Sequence, residues 1–229
     1  MFAGSVGYSL FAVRLGPHRV TESRTTEYQN MANIAIFASG TGTNAKKIIE
    51  YFKENANIHV SLVVSNKETA PVLGLADEYG IEKMVIGRQS FYETEELLPA
   101  LRERNITLIV LAGFLWLLPD YLVRAYDKRM INIHPALLPK YGGKGMYGMH
   151  VHRAVKAAGD RVSGITIHYV NEHYDEGGIV FQASCPLLPE DEPEDIARKV
   201  QELEHRHFAP VVEKLVRELE ETTQQTNNQ

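Results

Sequence analysis

Asn132 and His134 are the side chains of this sequence best placed to do chemistry. They alternate with Ile131 and Ile133 in a short run that ends at Pro135. Such alternation predicts a β-strand, and residues two apart on a strand point to the same face. We therefore expect an amide and an imidazole to open together onto a cleft at a strand tip. The alternative is that both are hydrogen-bonded structural residues, which are also common at strand ends.

A glycine loop follows the first predicted strand, Asn33 to Ser39. Gly40 and Gly42 let the backbone approach a ligand, and Thr43 and Asn44 add donors where a helix begins. The loop lacks the Lys-Ser/Thr ending of ATP-binding loops and the third glycine of dinucleotide-binding loops. We therefore predict a site for a phosphate monoester, with a turn that binds no ligand as the alternative.

Strands and helices alternate along most of the chain. The pattern predicts further strands at 58–65, 83–86, 108–113, 164–170 and 179–185, and helices at 71–79, 93–105, 150–158 and 193–216. The expected fold class is α/β, with three α/β/α layers and a mostly parallel, Rossmann-like sheet that carries a C-terminal antiparallel addition. Ligands of such sheets bind beyond the C-terminal ends of the strands.

Two further loops are expected near that edge. Phe114 to Leu118 is apolar and holds the single Trp of the chain, so it is either core or a wall for a flat ring. Asp175 lies in an acidic loop between the last two strands and could fold back towards His134. A carboxylate beside an imidazole raises the pKa of the imidazole.

Composition excludes several functional classes. The 229 residues carry a net charge of -5, which argues against a nucleic-acid partner. The absence of an apolar run of about 18 residues argues against a spanning helix, and the single Cys185 fits a reducing, cytoplasmic compartment. His150 and His152 lack a third ligand at a diagnostic spacing, so we predict no metal. We expect residues 1–30 to be a disordered leader, 31–220 to form one domain and 221–229 to be a frayed tail.

Together these features resemble the glycinamide ribonucleotide formyltransferases of purine biosynthesis, of the folate-dependent monofunctional type. The similarity runs from about Met31 to Leu215. It is strongest in the run NIHP at 132–135, the run LLP at 137–139, and an Asp-x-Gly turn that begins at Asp175. The ordered set is far more specific than any one of its members.

The resemblance implies a reaction and a role for each matching residue. The chain would transfer the formyl group of 10-formyltetrahydrofolate to the amine of glycinamide ribonucleotide, and it would act as a monomer or weak homodimer. Asn132 and His134 would hydrogen-bond the oxyanion, and Asp175 would keep His134 protonated as an acid. The N-terminal half would bind the ribonucleotide, with Gly42, Thr43 and Asn44 at its phosphate, and Gln201 and Glu204 of the last helix would hold the glycinamide end. The C-terminal half would bind the folate, through Leu115, Trp116, Leu117, Leu118, Asn132, Asn171, Glu172, His173, Tyr174 and Asp175.

The sequence departs from the family pattern in two places. Gln89, Ser90 and Phe91 stand where bacterial relatives often carry an Arg that meets the folate tail, and the insert before His150 is longer than usual. Formyltetrahydrofolate hydrolase and methionyl-tRNA formyltransferase share the same three catalytic residues. We expect neither, because each carries an additional domain for which this sequence offers little length. A non-catalytic nucleotide-binding domain is a further alternative. The presence of all three residues, Asn132, His134 and Asp175, argues against it.

Overall fold

A computed structural model describes residues 31–227 of the chain. The expected leader at 1–30 and the last two residues of the expected frayed tail lie outside the described residues. Within the described part, no helix combines the length and the apolar character needed to cross a membrane.

Within residues 31–227, seven strands form one sheet in the order β3-β2-β1-β4-β5-β6-β7. They are β1 (Ala32–Phe37), β2 (Ile58–Ser65), β3 (Glu82–Val85), β4 (Ile106–Leu111), β5 (Met130–His134), β6 (Val162–Tyr169) and β7 (Ile179–Pro186). The first five pair in parallel, whereas β6 and β7 pair antiparallel. The predicted parallel sheet with a C-terminal antiparallel addition is confirmed.

In the part of the chain that the structure describes, seven helices cover the two faces of this sheet. They are α1 (Thr43–Phe52), α2 (Pro71–Glu78), α3 (Arg88–Glu93), α4 (Leu97–Glu103), α5 (Asp120–Ala125), α6 (Met149–Ala158) and α7 (Pro193–Asn227). Side chains of β1 show how the three layers are held together. Ile34 and Ile36 join one buried cluster with α1, α2, α6 and α7, while Ala35 and Phe37 join a second with α3, α4 and α5. The strand is therefore apolar on both faces, as strands covered by helices on both sides must be.

Four helices differ from the sequence prediction. The helix predicted at 93–105 begins only at Leu97, as α4, because Thr94 is extended and Pro99, which has no backbone N–H, fits only the first turn of a helix. The short helices α3 and α5 were not predicted. The last helix continues beyond Val216 to Asn227, and Leu219 still packs against the core.

Candidate active site

A cavity of about 990 Å³ lies beyond the C-terminal ends of the parallel strands. Its wall is formed by the glycine loop at 39–44, the apolar loop at 111–118, the end of β5 at 132–135, the loop 143–149 and one face of α7. The structure thus brings together the three loops that the sequence placed on one edge. The loop that carries Asp175 joins the same wall.

Asn132, His134 and Asp175 converge on this cavity. His134 Nδ1 lies 3.4 Å from one carboxylate oxygen of Asp175, and Asn132 Nδ2 lies 3.5 Å from the other. His134 is only 3% exposed, and the side chain of Asp175 is 11% exposed. Two side-chain donors therefore face one largely buried carboxylate, where such interactions are stronger than in water.

Both ring nitrogens of His134 face an acceptor. Nε2 donates to the backbone carbonyl of Tyr141 at 2.8 Å, and Nδ1 faces Asp175. Only the doubly protonated ring can donate to both acceptors. Burial nevertheless lowers the pKa of His134, while the charge of Asp175 and the Tyr141 carbonyl oppose that shift. The expectation that Asp175 favours the charged ring has a geometric basis. Burial nevertheless has the larger effect on the pKa of His134.

Asn132 is oriented by a histidine that the sequence analysis did not single out. His168 Nδ1 donates to the Tyr169 carbonyl at 2.8 Å, so in the singly protonated ring Nε2 is an acceptor. Asn132 Nδ2 lies 3.1 Å from that Nε2, and the same Nε2 lies 3.5 Å from an oxygen of Asp175. One N–H is thereby used for orientation, and the other points towards Asp175 at the longer distance.

Asp175 reaches the strand tip because its loop folds back. The backbone N–H of Gly143 donates to Asp175 at 2.9 Å. Gly177 packs against the backbone of Tyr169 so closely that a Cβ there would lie 1.7 Å from the Tyr169 oxygen. Burial raises the pKa of Asp175, but its contacts with His168, His134 and Gly143 outweigh this, so the pKa is lowered overall. The carboxylate is therefore charged at neutral pH.

Antiparallel pairing between β5 and β6 sets this arrangement. Asn132 pairs with His168 and His134 pairs with Thr166, so two polar residues of each strand share one face. Thr166 is fully buried, donates to the Ala136 carbonyl at 2.7 Å and accepts from the Leu138 N–H at 2.9 Å. Through these two bonds Thr166 holds the segment that follows His134 in place.

Comparisons with known proteins agree with this geometry. The sequence profile described as formyl transferase matches residues 32–212. The chain belongs to the formyl transferase family. It is 41% identical over 185 residues to a chloroplastic phosphoribosylglycinamide formyltransferase of Arabidopsis thaliana, covering 78% of this chain and 63% of that protein. The corresponding protein of Vigna unguiculata is 39% identical over 209 residues, covering 88% of this chain and 66% of that protein.

Solved structures are similar as well. Phosphoribosylglycinamide formyltransferase from Anaplasma phagocytophilum superposes with a TM-score of 0.74 at 32% identity, covering 81% of this chain and 87% of that one. The chain therefore spans most of the length of this solved relative. It spans less than two thirds of the length of the two plant relatives.

The glycine loop enters α1 through a residue in a left-handed conformation. Gly42 precedes α1 with φ 76°, and a Cβ on it would lie 2.7 Å from Val72 Cγ2. The Asn44 side chain donates to Glu204 on α7 at 2.9 Å. Burial raises the pKa of Glu204, and this hydrogen bond opposes the shift.

The apolar loop at 114–118 is partly core and partly cavity wall. Phe114 and Leu118 are buried at its ends, whereas Leu115 is 41% exposed. The centroid of the Trp116 ring lies 5.6 Å from that of Phe91, and the Arg88 guanidinium stacks on the Trp116 ring at 5.7 Å. The loop therefore contributes to the core and also lines the cavity, and its role as a wall for a flat ring stays a prediction. Since Arg88 is stacked on this aromatic cluster, it is absent from the cavity wall.

Nearly every predicted site residue lies on the cavity wall, including Gln201 and Glu204, one helical turn apart on α7. The exception is Glu172, which is exposed and does not line the cavity. Sequence reasoning missed His168 and also His152, which is 6% exposed with no partner for its Nδ1. A polar residue inside the buried run of β6 was the available signal for His168. Among residues 31–227, no group of three or more His, Cys, Asp or Glu side chains is arranged to hold a metal ion.

Proposed function

We propose that the chain transfers the formyl group of 10-formyltetrahydrofolate to the amine of glycinamide ribonucleotide. The products are formylglycinamide ribonucleotide and tetrahydrofolate, and the step belongs to de novo purine (IMP) biosynthesis. The observation that carries the proposal is the convergence of Asn132, His134 and Asp175 in one cavity with a phosphate-type loop. Membership of the formyl transferase family and the names of the relatives support it.

The ribonucleotide occupies the side of the cavity formed by α1 and α7. Its phosphate accepts from the backbone N–H groups at Gly42, Thr43 and Asn44, where the helix dipole favours an anion. Gln201 and Glu204 hold the glycinamide end. The contact between Asn44 and Glu204 links the two ends of this subsite, so Asn44 has a second role that the sequence did not predict.

The folate occupies the other side of the cavity. The pterin ring packs on the wall at Leu115, Trp116, Leu117 and Leu118, opposite Asn171, His173 and Tyr174. The wall is rigid because Ser39 Oγ accepts from the Leu115 N–H at 3.0 Å, and the Tyr92 hydroxyl donates to the Leu117 carbonyl at 3.0 Å. The formyl carbon is then presented to the end of β5.

The amine attacks the formyl carbon, and the formyl oxygen becomes an oxyanion. Asn132 and His134 each have one short contact that orients them and one longer contact, of 3.5 and 3.4 Å, to Asp175. The N–H groups that make the longer contacts are the ones available to the oxyanion. When the intermediate collapses, the bond from carbon to the folate N10 breaks and the amine proton ends on N10. His134 serves as the acid in its charged form.

A direct assay tests the proposal. The full chain is incubated with 10-formyltetrahydrofolate with and without glycinamide ribonucleotide, and both tetrahydrofolate and free formate are measured. We expect tetrahydrofolate only when the amine is present, without release of formate. Formate produced equally in the absence of the amine would show a hydrolase instead, and no product in either reaction would show a non-catalytic nucleotide-binding protein.

We further propose a cytoplasmic enzyme that acts as a monomer or weak homodimer, with small molecules as its partners. The single Cys185 and the net charge of -5 support this.

The three catalytic assignments predict that His134→Ala lowers turnover by orders of magnitude, because an acid that donates in the transition state is lost.

A further inference from the structure

The backbone carbonyl of Tyr141 is the shortest contact made by His134, at 2.8 Å. Tyr141 adopts φ 59°, in the left-handed region that bulky side chains rarely enter. Within the described range, Asp175 on the other ring nitrogen also has a positive φ, of 60°. Both acceptors of His134 are thus presented by unfavourable backbone conformations, which persist only where surrounding contacts enforce them.

Contacts of the Tyr141 side chain enforce its conformation. The hydroxyl donates to Asp160 at 2.8 Å, and the ring packs against the buried core. Lys140 Nζ lies 3.1 and 3.3 Å from the two oxygens of Asp160. The bonds from Tyr141 and Lys140 lower the pKa of Asp160, so it accepts as a carboxylate. Asp160 does not line the cavity and reaches the catalytic group only through Tyr141.

Space next to Tyr141 is also restricted. A Cβ on Gly142 would lie 2.6 Å from Leu138 Cδ2 and 3.3 Å from the Cβ of Asp175. The next N–H along the chain, of Gly143, donates to Asp175. The segment 141–143 therefore contacts His134 through a carbonyl and Asp175 through an N–H.

We propose that Asp160 and Tyr141 are positioning residues: Asp160 holds the Tyr141 hydroxyl, and the Tyr141 carbonyl thereby holds Nε2 of His134. The proposal rests on the proposed function in taking His134 as the acid. Neither side chain touches the substrates. Their effect on the reaction is exerted through the orientation and protonation of one imidazole.

The consequence for His134 follows from its surroundings. The groups that face it are Asp175 from the loop after β6, His168 from β6 itself and His152 from α6. The Tyr141 carbonyl is one of two acceptors that favour the charged ring. If it moves away, the pKa of His134 falls, and the remaining acceptor, Asp175, draws the proton of the neutral ring to Nδ1.

Histidine NMR of the full chain tests this without any substrate. The pKa of His134 and the tautomer of its neutral ring are measured in Asp160→Ala and in Tyr141→Phe. Asp160→Asn is the rescue variant, because an amide oxygen still accepts from the Tyr141 hydroxyl. Tyr51→Phe is the matched control, since it removes an equivalent bond, of 2.6 Å, between a tyrosine and Glu213.

We expect Asp160→Ala and Tyr141→Phe to lower the pKa of His134 and to raise the share of the Nδ1–H tautomer. Turnover should fall about tenfold with KM values unchanged, as misplacement of a catalytic group would predict. Asp160→Asn should lie close to the wild type. Both Asp160→Ala and Tyr141→Phe are measured, because either variant alone is sufficient for the test if the other does not fold.

Shifts in Asp160→Ala and Tyr141→Phe no larger than those in Tyr51→Phe would overturn the proposal. Loss of turnover with an unchanged NMR titration would also overturn it, because the residues would then be merely structural. If the wild type transferred no formyl group, the proposed function would fail while the NMR result still stood. The two failures are therefore distinguishable.

Discussion

Replacement of Asp175 by Asn removes a charge while keeping the shape of the side chain. Asp175 lies 3.4 Å from His134, so at an effective dielectric constant of about 20 its attraction to a charged ring is worth about 5 kcal/mol. The amide retains part of that as a dipole. We therefore expect a loss of turnover of about 10²- to 10³-fold, equivalent to about 3 to 4 kcal/mol.

The same substitution has a defined effect on the pH profile. Asp175 raises the pKa of His134 against the lowering effect of burial, so its removal lowers that pKa further. The charged, active form of His134 is then lost at lower pH, and the alkaline limb of the turnover profile moves to lower pH. Steady-state kinetics from pH 5.5 to about 9 measure this, with Asp120→Asn, a carboxylate on α5 that is absent from the cavity wall, as the control. An unchanged limb with full turnover would refute the role of Asp175.

Two other substitutions test the two sides of the cavity. Gly42→Ala should lower the free energy of unfolding by about 1 to 3 kcal/mol and raise KM for the ribonucleotide, since the Cβ meets Val72 and φ is 76°. Gly80→Ala, at φ 66° with nothing within 4 Å, is the control in thermal unfolding; equal effects would exclude the contact with Val72. Trp116→Ala should raise KM for the folate about tenfold and leave KM for the ribonucleotide unchanged, whereas a change confined to the ribonucleotide would remove Trp116 from the folate wall.

Buried strands were the most predictable part of the fold. The bounds predicted for the strand at 58–65 match β2, whose second half is buried on both faces at Leu62, Val63 and Val64. The helix predicted at 93–105 failed at its start because apolar spacing was weighed above Pro99, which has no N–H to donate inside a helix. Helix α5, with six residues, is too short for a periodic pattern to establish.

The site was predictable where its residues follow strand ends and unpredictable where strand pairing brings residues together. Asn132 and His134 could be paired by spacing alone. His168 could not, because its contact with Asn132 depends on the register between β5 and β6. The contacts of the Tyr141 carbonyl and the Gly143 N–H could not be predicted for another reason. Backbone groups make them, and the type of side chain does not indicate where a backbone group points.

The hydrogen bond between Asn44 and Glu204 joins residues 160 positions apart, on α1 and α7. A chain still being synthesised therefore cannot complete the proposed ribonucleotide subsite until residue 204 has left the ribosome. The pair of His134 and Asp175 forms from residues made earlier. A proteolytic cut near the start of α7 would accordingly separate the two parts: the proposed acid–base pair would keep its covalent framework, while the proposed subsite would lose the contact between Asn44 and Glu204.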